Sequence, residues 1–311
     1  MNAVFLGTPE FAVASLERMI EAGHRVIAVV SQPDRPRGRK QELYPSPVKQ
    51  AALRHGLPVF QPERIRRPEA VQHLRELAPD VMVVVGYGQI IPQVIIDIPK
   101  HGIINVHASL LPELRGAAPI QWAIARGLQR TGVATMRINA GLDTGDVLDA
   151  RETPIGPDET APELSLRLAE AGAGLLVRTL AALEDGTARP VPQDDARATY
   201  APILAKEDGR IDWRQSAHEI HNLIRGLQPW PGGHTSFRGQ SFHIWRSRLP
   251  ASPRNLSAPG GALLMEGGAL YAQGGDGSAL ELLEVQLEGR KRMPAAVFAN
   301  GSRLTGGDML V

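Results

Sequence analysis

Two polar side chains, spaced by two, interrupt an otherwise apolar run at Ile103-Ile-Asn-Val-His107. In a strand that spacing turns Asn105 and His107 to one face, at the strand end where open α/β sheets bind ligands. An amide and an imidazole there can donate hydrogen bonds or move a proton, so the pair is a candidate site. The alternative is that Asn105 caps a turn and His107 is satisfied in the core. A second polar cluster, Gly141-Leu-Asp143-Thr-Gly-Asp146, lies in a glycine-flanked loop after another apolar run, from which Asp143 can reach across to an imidazole. Taken alone it is an ordinary turn.

Other chemistry is less well provided for. Gly7-Thr-Pro-Glu-Phe11 stands between a strand and a helix, where a dinucleotide fold keeps its glycine fingerprint, but Pro9 and Phe11 fall where later glycines belong. Backbone could not approach a pyrophosphate closely, so no nicotinamide cofactor is expected. His218 and His221 are three apart, not the four of the helical zinc motif, and read as a solvated helix face; no metal is expected.

The elements that must position these residues alternate through the first 150 positions. Short apolar runs at 3–6, 25–31, 81–85, 103–106 and 133–138 read as strands, with 59–60 the start of another. Helices open at Thr8-Pro9, Ser46-Pro47 and Pro68, each a cap or first-turn signal, and another lies near 119–126. The run Val81-Met-Val-Val-Val85 has no polar alternation, as expected of a central parallel strand covered on both faces. This is the pattern of an open, mostly parallel, Rossmann-like α/β sheet. After a helix over 161–183, residues 186–202 carry three prolines and no periodicity, and read as an extended linker. Beyond it one helix, 216–227, precedes five short β-like runs with glycine-rich turns, which predict a small barrel of oligonucleotide-binding type.

Composition narrows the class. The 311 residues suffice for two domains, and Gly 32 with Pro 25 is too little for a low-complexity chain. No cysteine is present, which removes disulfides, thiolate metal sites and cysteine nucleophiles and points to a reducing compartment, the cytoplasm. The opening residues show no basic flank and no long apolar stretch, so neither a signal peptide nor a membrane segment is expected. Net charge is only +1, yet nine Arg or Lys face three acids between Asp34 and Arg67. Such a segment can meet a polyanion or be a solvated surface.

Taken together, these residues and their surroundings resemble the methionyl-tRNA formyltransferase family. The likeness runs nearly end to end through Gly7-Thr-Pro-Glu-Phe-Ala12, Gln32-Pro-Asp-Arg-Pro36, Pro45-Ser-Pro-Val-Lys49, residues 102–112, Gly116-Ala-Ala-Pro-Ile-Gln121, residues 141–146, Gly209-Arg-Ile-Asp-Trp213 and Pro229-Trp-Pro231. The resemblance implies a formyltransferase domain over 1–188, a linker over 189–205 and a tRNA-binding β-barrel over 206–311. It implies that Asn105, His107 and Asp143 are the catalytic trio and that Ser109, Leu110, Leu111 and Pro112 form the folate motif. The reaction it implies moves a formyl group from 10-formyltetrahydrofolate to the α-amine of methionine on initiator tRNA.

The chemistry of that transfer suits the trio. Attack on an amide-like carbonyl develops an oxyanion, to which Asn105 and a protonated His107 can donate, while Asp143 supports the imidazolium and can accept the amine proton through a water. The resemblance also places Arg39 in a loop that enters the tRNA acceptor end, where guanidinium planes stack on bases. The chain departs from the family's usual pattern at Lys40-Gln41-Glu42, where Gly-Lys-Lys is usual, and at Glu113-Leu114. Two other readings remain: a formyltransferase of amino-sugar nucleotides, with the same trio but a shorter, less basic loop, and a non-catalytic RNA-binding protein, which leaves the trio idle. The pterin ring is expected against residues 85–92.

Overall fold

Along Val81–Val85 successive side chains leave opposite faces of a strand. Val81, Val83 and Val85 join one apolar cluster with Leu16, Met19, Ala51 and Leu180, and Met82 and Val84 join another with Val71, Leu74 and Ile95. A strand buried on both sides needs helices on both sides, which is why this run carries no polar residue.

The computed structural model describes residues 1–37, 42–252 and 254–311, and the chain clusters into two units. The first comprises Met1–Gly116, Thr131–Thr153 and Ser165–Tyr200. Its sheet has seven strands in the order Val147–Pro154, Arg130–Arg137, Ile103–His107, Val81–Val85, Asn2–Gly7, Arg25–Val30, Val59–Phe60. The five from Ile103–His107 to Val59–Phe60 pair in parallel, and Arg130–Arg137 runs antiparallel to Ile103–His107. The mostly parallel sheet is therefore as expected. The 133–138 run proves longer, and Val147–Pro154 is a strand that the sequence pattern did not announce: its exposed, largely polar residues belong at a sheet edge.

Helix starts follow their signals. Ser46 caps Pro47–Arg54, its hydroxyl accepting from the Lys49 N–H at 3.1 Å, and Pro47 and Pro68 occupy first-turn positions. The Thr8-Pro9 start is different, because Pro9 precedes a 3-10 turn at Glu10–Ala12 before Val13–Glu21 becomes α-helical, with no side-chain cap. The 186–202 segment is extended but far from idle, since Val191 bridges Val147 and Gln193 hydrogen-bonds the chain at three other residues. Arg35–Arg37 and Glu42–Tyr44 form an antiparallel pair; Arg39 and Lys40-Gln41 between them lie outside the described residues. Of the nearby cations, Lys49 pairs with Asp34 at 2.6 Å and Arg54 with Glu17 at 3.1 Å.

The second unit is Ala117–Arg130, Pro154–Leu164 and Ala201–Val311, so the Pro119–Ala125 helix clusters here and not with the sheet it follows in sequence. It packs on Ala217–Gly226 at close range: a Cβ on Gly226 would lie 2.6 Å from the Ala125 nitrogen. The antiparallel sheet runs Gly233–Phe237, Gln240–Arg248, Ala279–Leu287, Ala269–Gln273, Leu263–Glu266, with Met293–Pro294 added to Ala279–Leu287. Its two outermost strands are joined by the C-terminal tail, which bridges Phe237 through Leu310 and Ala262 through Met309. Closure of this kind removes open sheet edges, and the interior holds Phe237, Phe242 and Phe298 with ring centres 4.8–5.9 Å apart.

One expectation is overturned here. His221 is not solvated but 2% exposed, its Nδ1 3.0 Å from the Ser247 hydroxyl and its Nε2 3.2 Å from the Pro157 carbonyl, and burial pushes its pKa down. The i, i+3 spacing reads as a solvated face, yet the strand face covering His221 is set by residues far away in sequence. Among the described residues no helix is long and apolar enough to cross a membrane, and no cluster of His, Cys, Asp or Glu could hold a metal ion.

Candidate active site

Ile103, Asn105 and His107 share one face of their strand, while Ile104 and Val106 point into the apolar cluster on the other. Period-2 geometry thus carries both polar groups to the same side, as the spacing required. Asn105 and His107 are 9% and 6% exposed, and among the described residues nothing hydrogen-bonds the Asn105 amide, whose N–H groups can therefore donate.

His107 is held at one nitrogen and faces a carboxylate with the other. Its Nε2 lies 3.0 Å from the Leu114 carbonyl oxygen, and a carbonyl only accepts, so Nε2 carries a hydrogen and donates it. Its Nδ1 faces Asp143 Oδ2 at 3.6 Å, too long for a direct hydrogen bond. A ring so arranged keeps Nδ1 as the nitrogen available to a third group.

Asp143 belongs to a loop built to return sharply. Asn139 Oδ1 accepts from the Gly141 N–H and the Thr144 hydroxyl, the Arg137 N–H donates to the Asp146 carbonyl, and any Cβ on Gly145 would overlap the Arg137 carbonyl oxygen. Asp143 itself has φ +51°, a left-handed conformation that Asp tolerates better than most residues. Its carboxylate accepts from the Gly116 N–H at 2.8 Å. Asn105, His107 and Asp143 are therefore brought to one place, with Asp143 joining them from 36 residues further along.

Ser109-Leu-Leu-Pro112 follows His107 after one residue. Ser109 is buried with its hydroxyl donating to the Glu113 carbonyl, Leu110 and Leu111 are half-buried, and Leu111-Pro112 is a cis peptide. Residues 85–92 form the turn after Val81–Val85, where Tyr87 is 1% exposed and its carbonyl accepts from the Thr8 hydroxyl and the Gln32 amide. Arg39 lies outside the described residues.

Sequence reasoning missed Leu114, Arg115 and Gln193. Leu114 supplies the carbonyl that orients His107, from a left-handed φ of +57° that nothing in its residue type announces. Gln193 sits in the proline-rich segment and meets Asp143 across 50 residues, a pairing that no local spacing encodes.

Residues 1–180 match the family model described as formyl transferase, and residues 203–303 match the formyl transferase, C-terminal domain. The chain is 62% identical over 310 residues to the methionyl-tRNA formyltransferase of Solibacter usitatus and 56% identical over 311 to that of Koribacter versatilis, covering 100% of this chain and 98% of each relative. Among solved structures, the N-formyltransferase of Helicobacter canadensis in complex with folinic acid and dTDP-3-aminofucose has a TM-score of 0.70 at 20% identity, covering 91% of this chain and 98% of that one. The sugar 3N-formyl transferase WlaRD follows at 0.68 and 18%, covering 94% and 99%. At such identities the likeness is one of fold.

Proposed function

Because the chain belongs to the formyl transferase family and transfers a formyl group to methionyl-tRNA, we propose that 10-formyltetrahydrofolate is its donor and that Asn105, His107 and Asp143 carry the transfer. The observation that supports this reading above others is the unbonded Asn105 amide beside an imidazole whose Nδ1 faces Asp143 at 3.6 Å. The donor's formyl carbonyl becomes an oxyanion when the amine attacks, and two aligned N–H donors stabilise that charge as it forms.

The geometry supports a role for each. Asn105 donates through its amide. His107, with Nε2 committed to Leu114, donates through Nδ1, and the Asp143 carboxylate supports the positive ring. Asp143 has a second oxygen besides the one that accepts from Gly116, and that lone pair can take the amine proton through a water. Ser109, Leu110, Leu111 and Pro112, which follow directly, offer backbone groups and apolar side chains suited to a folate, with the turn at 85–92 as the wall for its flat ring. Arg39 meets the acceptor end of the tRNA, and the β-barrel of 206–311 contributes to holding it, with 189–205 joining it to the transferase domain of 1–188.

Asp143→Asn tests the trio, since it keeps the size and the Gly116 contact but removes the charge and the base. Formylation of methionyl-tRNA under saturating donor should fall by more than about tenfold, equivalent to ~1.4 kcal/mol, with donor and tRNA binding retained. Activity within that margin would remove Asp143 from the chemistry.

A further inference from the structure

Three consecutive residues, Leu114, Arg115 and Gly116, reach His107, Gln193 and Asp143 in turn. The Leu114 carbonyl accepts from His107, and the Gly116 N–H donates to the Asp143 carboxylate. The Arg115 guanidinium, 2% exposed, donates from Nε and Nη2 to Gln193 Oε1 at 3.0 and 2.8 Å, and from Nη2 to Asp195. The segment is itself fixed by Thr199, whose hydroxyl accepts from the Leu114 N–H and whose carbonyl accepts from the Arg115 N–H.

Gln193 completes the circuit. Its Nε2 donates to the Asp143 carbonyl at 2.9 Å and to the Gly145 carbonyl at 2.6 Å, so both amide hydrogens and the amide oxygen are engaged. The loop they hold has a non-glycine residue at positive φ in Asp143, a conformation that persists when its surroundings over-determine it. We propose that Gln193 is a positioning residue for the formyl transfer: oriented by buried Arg115, it clasps the backbone of the Asp143 loop and sets the distance between the carboxylate and His107. This rests on the reading of Asp143 as part of the catalytic trio. Glutamine alone suits the place, because the position needs an acceptor toward Arg115 and two donors toward carbonyls on one side chain of this length.

Gln193→Glu separates the two halves of that role. The carboxylate still accepts from Arg115 but cannot donate to either loop carbonyl. The full-length variant should show kcat lower by roughly tenfold to a hundredfold, with KM for methionyl-tRNA and for the formyl donor within about twofold and an unchanged melting midpoint. Added to Asp143→Asn, it should change the residual rate by less than about twofold, because it acts through the group already lost. Gln193→Ala, which brings no charge, is read the same way should the carboxylate unsettle the fold. Wild-type kcat in both Gln193 variants beside an inactive Asp143→Asn overturns this proposal alone. An equal further loss in the Asp143→Asn background overturns it as well, and an active Asp143→Asn removes the reading beneath it.

Discussion

At His107 one hydrogen bond decides which ring nitrogen stays open. With Nε2 donating to Leu114, the ring can offer only Nδ1 to a substrate oxygen, and Nδ1 is the nitrogen facing Asp143. His107→Ala should therefore lower kcat by about a hundredfold or more, the cost typical of a lost oxyanion donor, and raising the folate concentration should not restore it. A defect confined to apparent folate affinity in the same titration would make His107 a binding residue. Much of this was legible in the sequence: an Asn and a His two apart at the end of an apolar strand must share a face. Asp143 was visible as a polar turn able to reach an imidazole, but only the family likeness made it His107's catalytic partner. Gln193 and Leu114 were not visible, since one depends on a contact across 50 residues and the other acts through its backbone carbonyl.

At the scale of the element, two segments matter. The turn that bears Asp143 tolerates no side chain at Gly145, where even a methyl group would overlap the Arg137 carbonyl oxygen. Gly145→Ala should displace the carboxylate and reduce kcat by roughly a hundredfold, the scale expected of ångström-level misplacement, while donor binding measured separately is retained. Arg39 tests the tRNA side. Arg39→Ala should weaken productive methionyl-tRNA binding by roughly 1–3 kcal/mol without touching folate binding, and Arg39→Lys should rescue poorly because an ammonium lacks the planar fork. Wild-type formylation by both variants would return the basic segment to its reading as a solvated surface. Elements with clear start signals were readable, Ser46-Pro47 among them. Val147–Pro154 was not, because an exposed edge strand carries charges in place of an apolar alternation. Nor could the sequence tell that Arg130–Arg137 runs antiparallel, since burial patterns are blind to strand direction.

For the molecule as a whole, the sequence foretold a barrel but not what closes it. Met309 and Leu310 bridge the outermost strands, and Asp308 beside them is gripped by Arg238 through two contacts of 2.7 Å, which holds its pKa down to about 2. A carboxylate depressed in the folded state stabilises it above the unfolded value near ~3.9 and loses that contribution as pH falls through the folded value. Asp308→Asn should accordingly lower the thermal midpoint of the full chain at neutral pH, and the difference from wild type should shrink between about pH 4 and 2. A constant difference across that range would mean the pair contributes no charge-dependent stability. The central claim concerns what the full chain acts on, and one assay addresses it: incubation with 10-formyltetrahydrofolate and either methionyl-tRNA or an amino-sugar nucleotide, with the formylated product identified by mass. Formylmethionyl-tRNA, formed with multiple turnovers and without detectable formyl-sugar, is the predicted result. Formylation of the sugar in place of the tRNA, or tRNA bound and released unformylated, would contradict it.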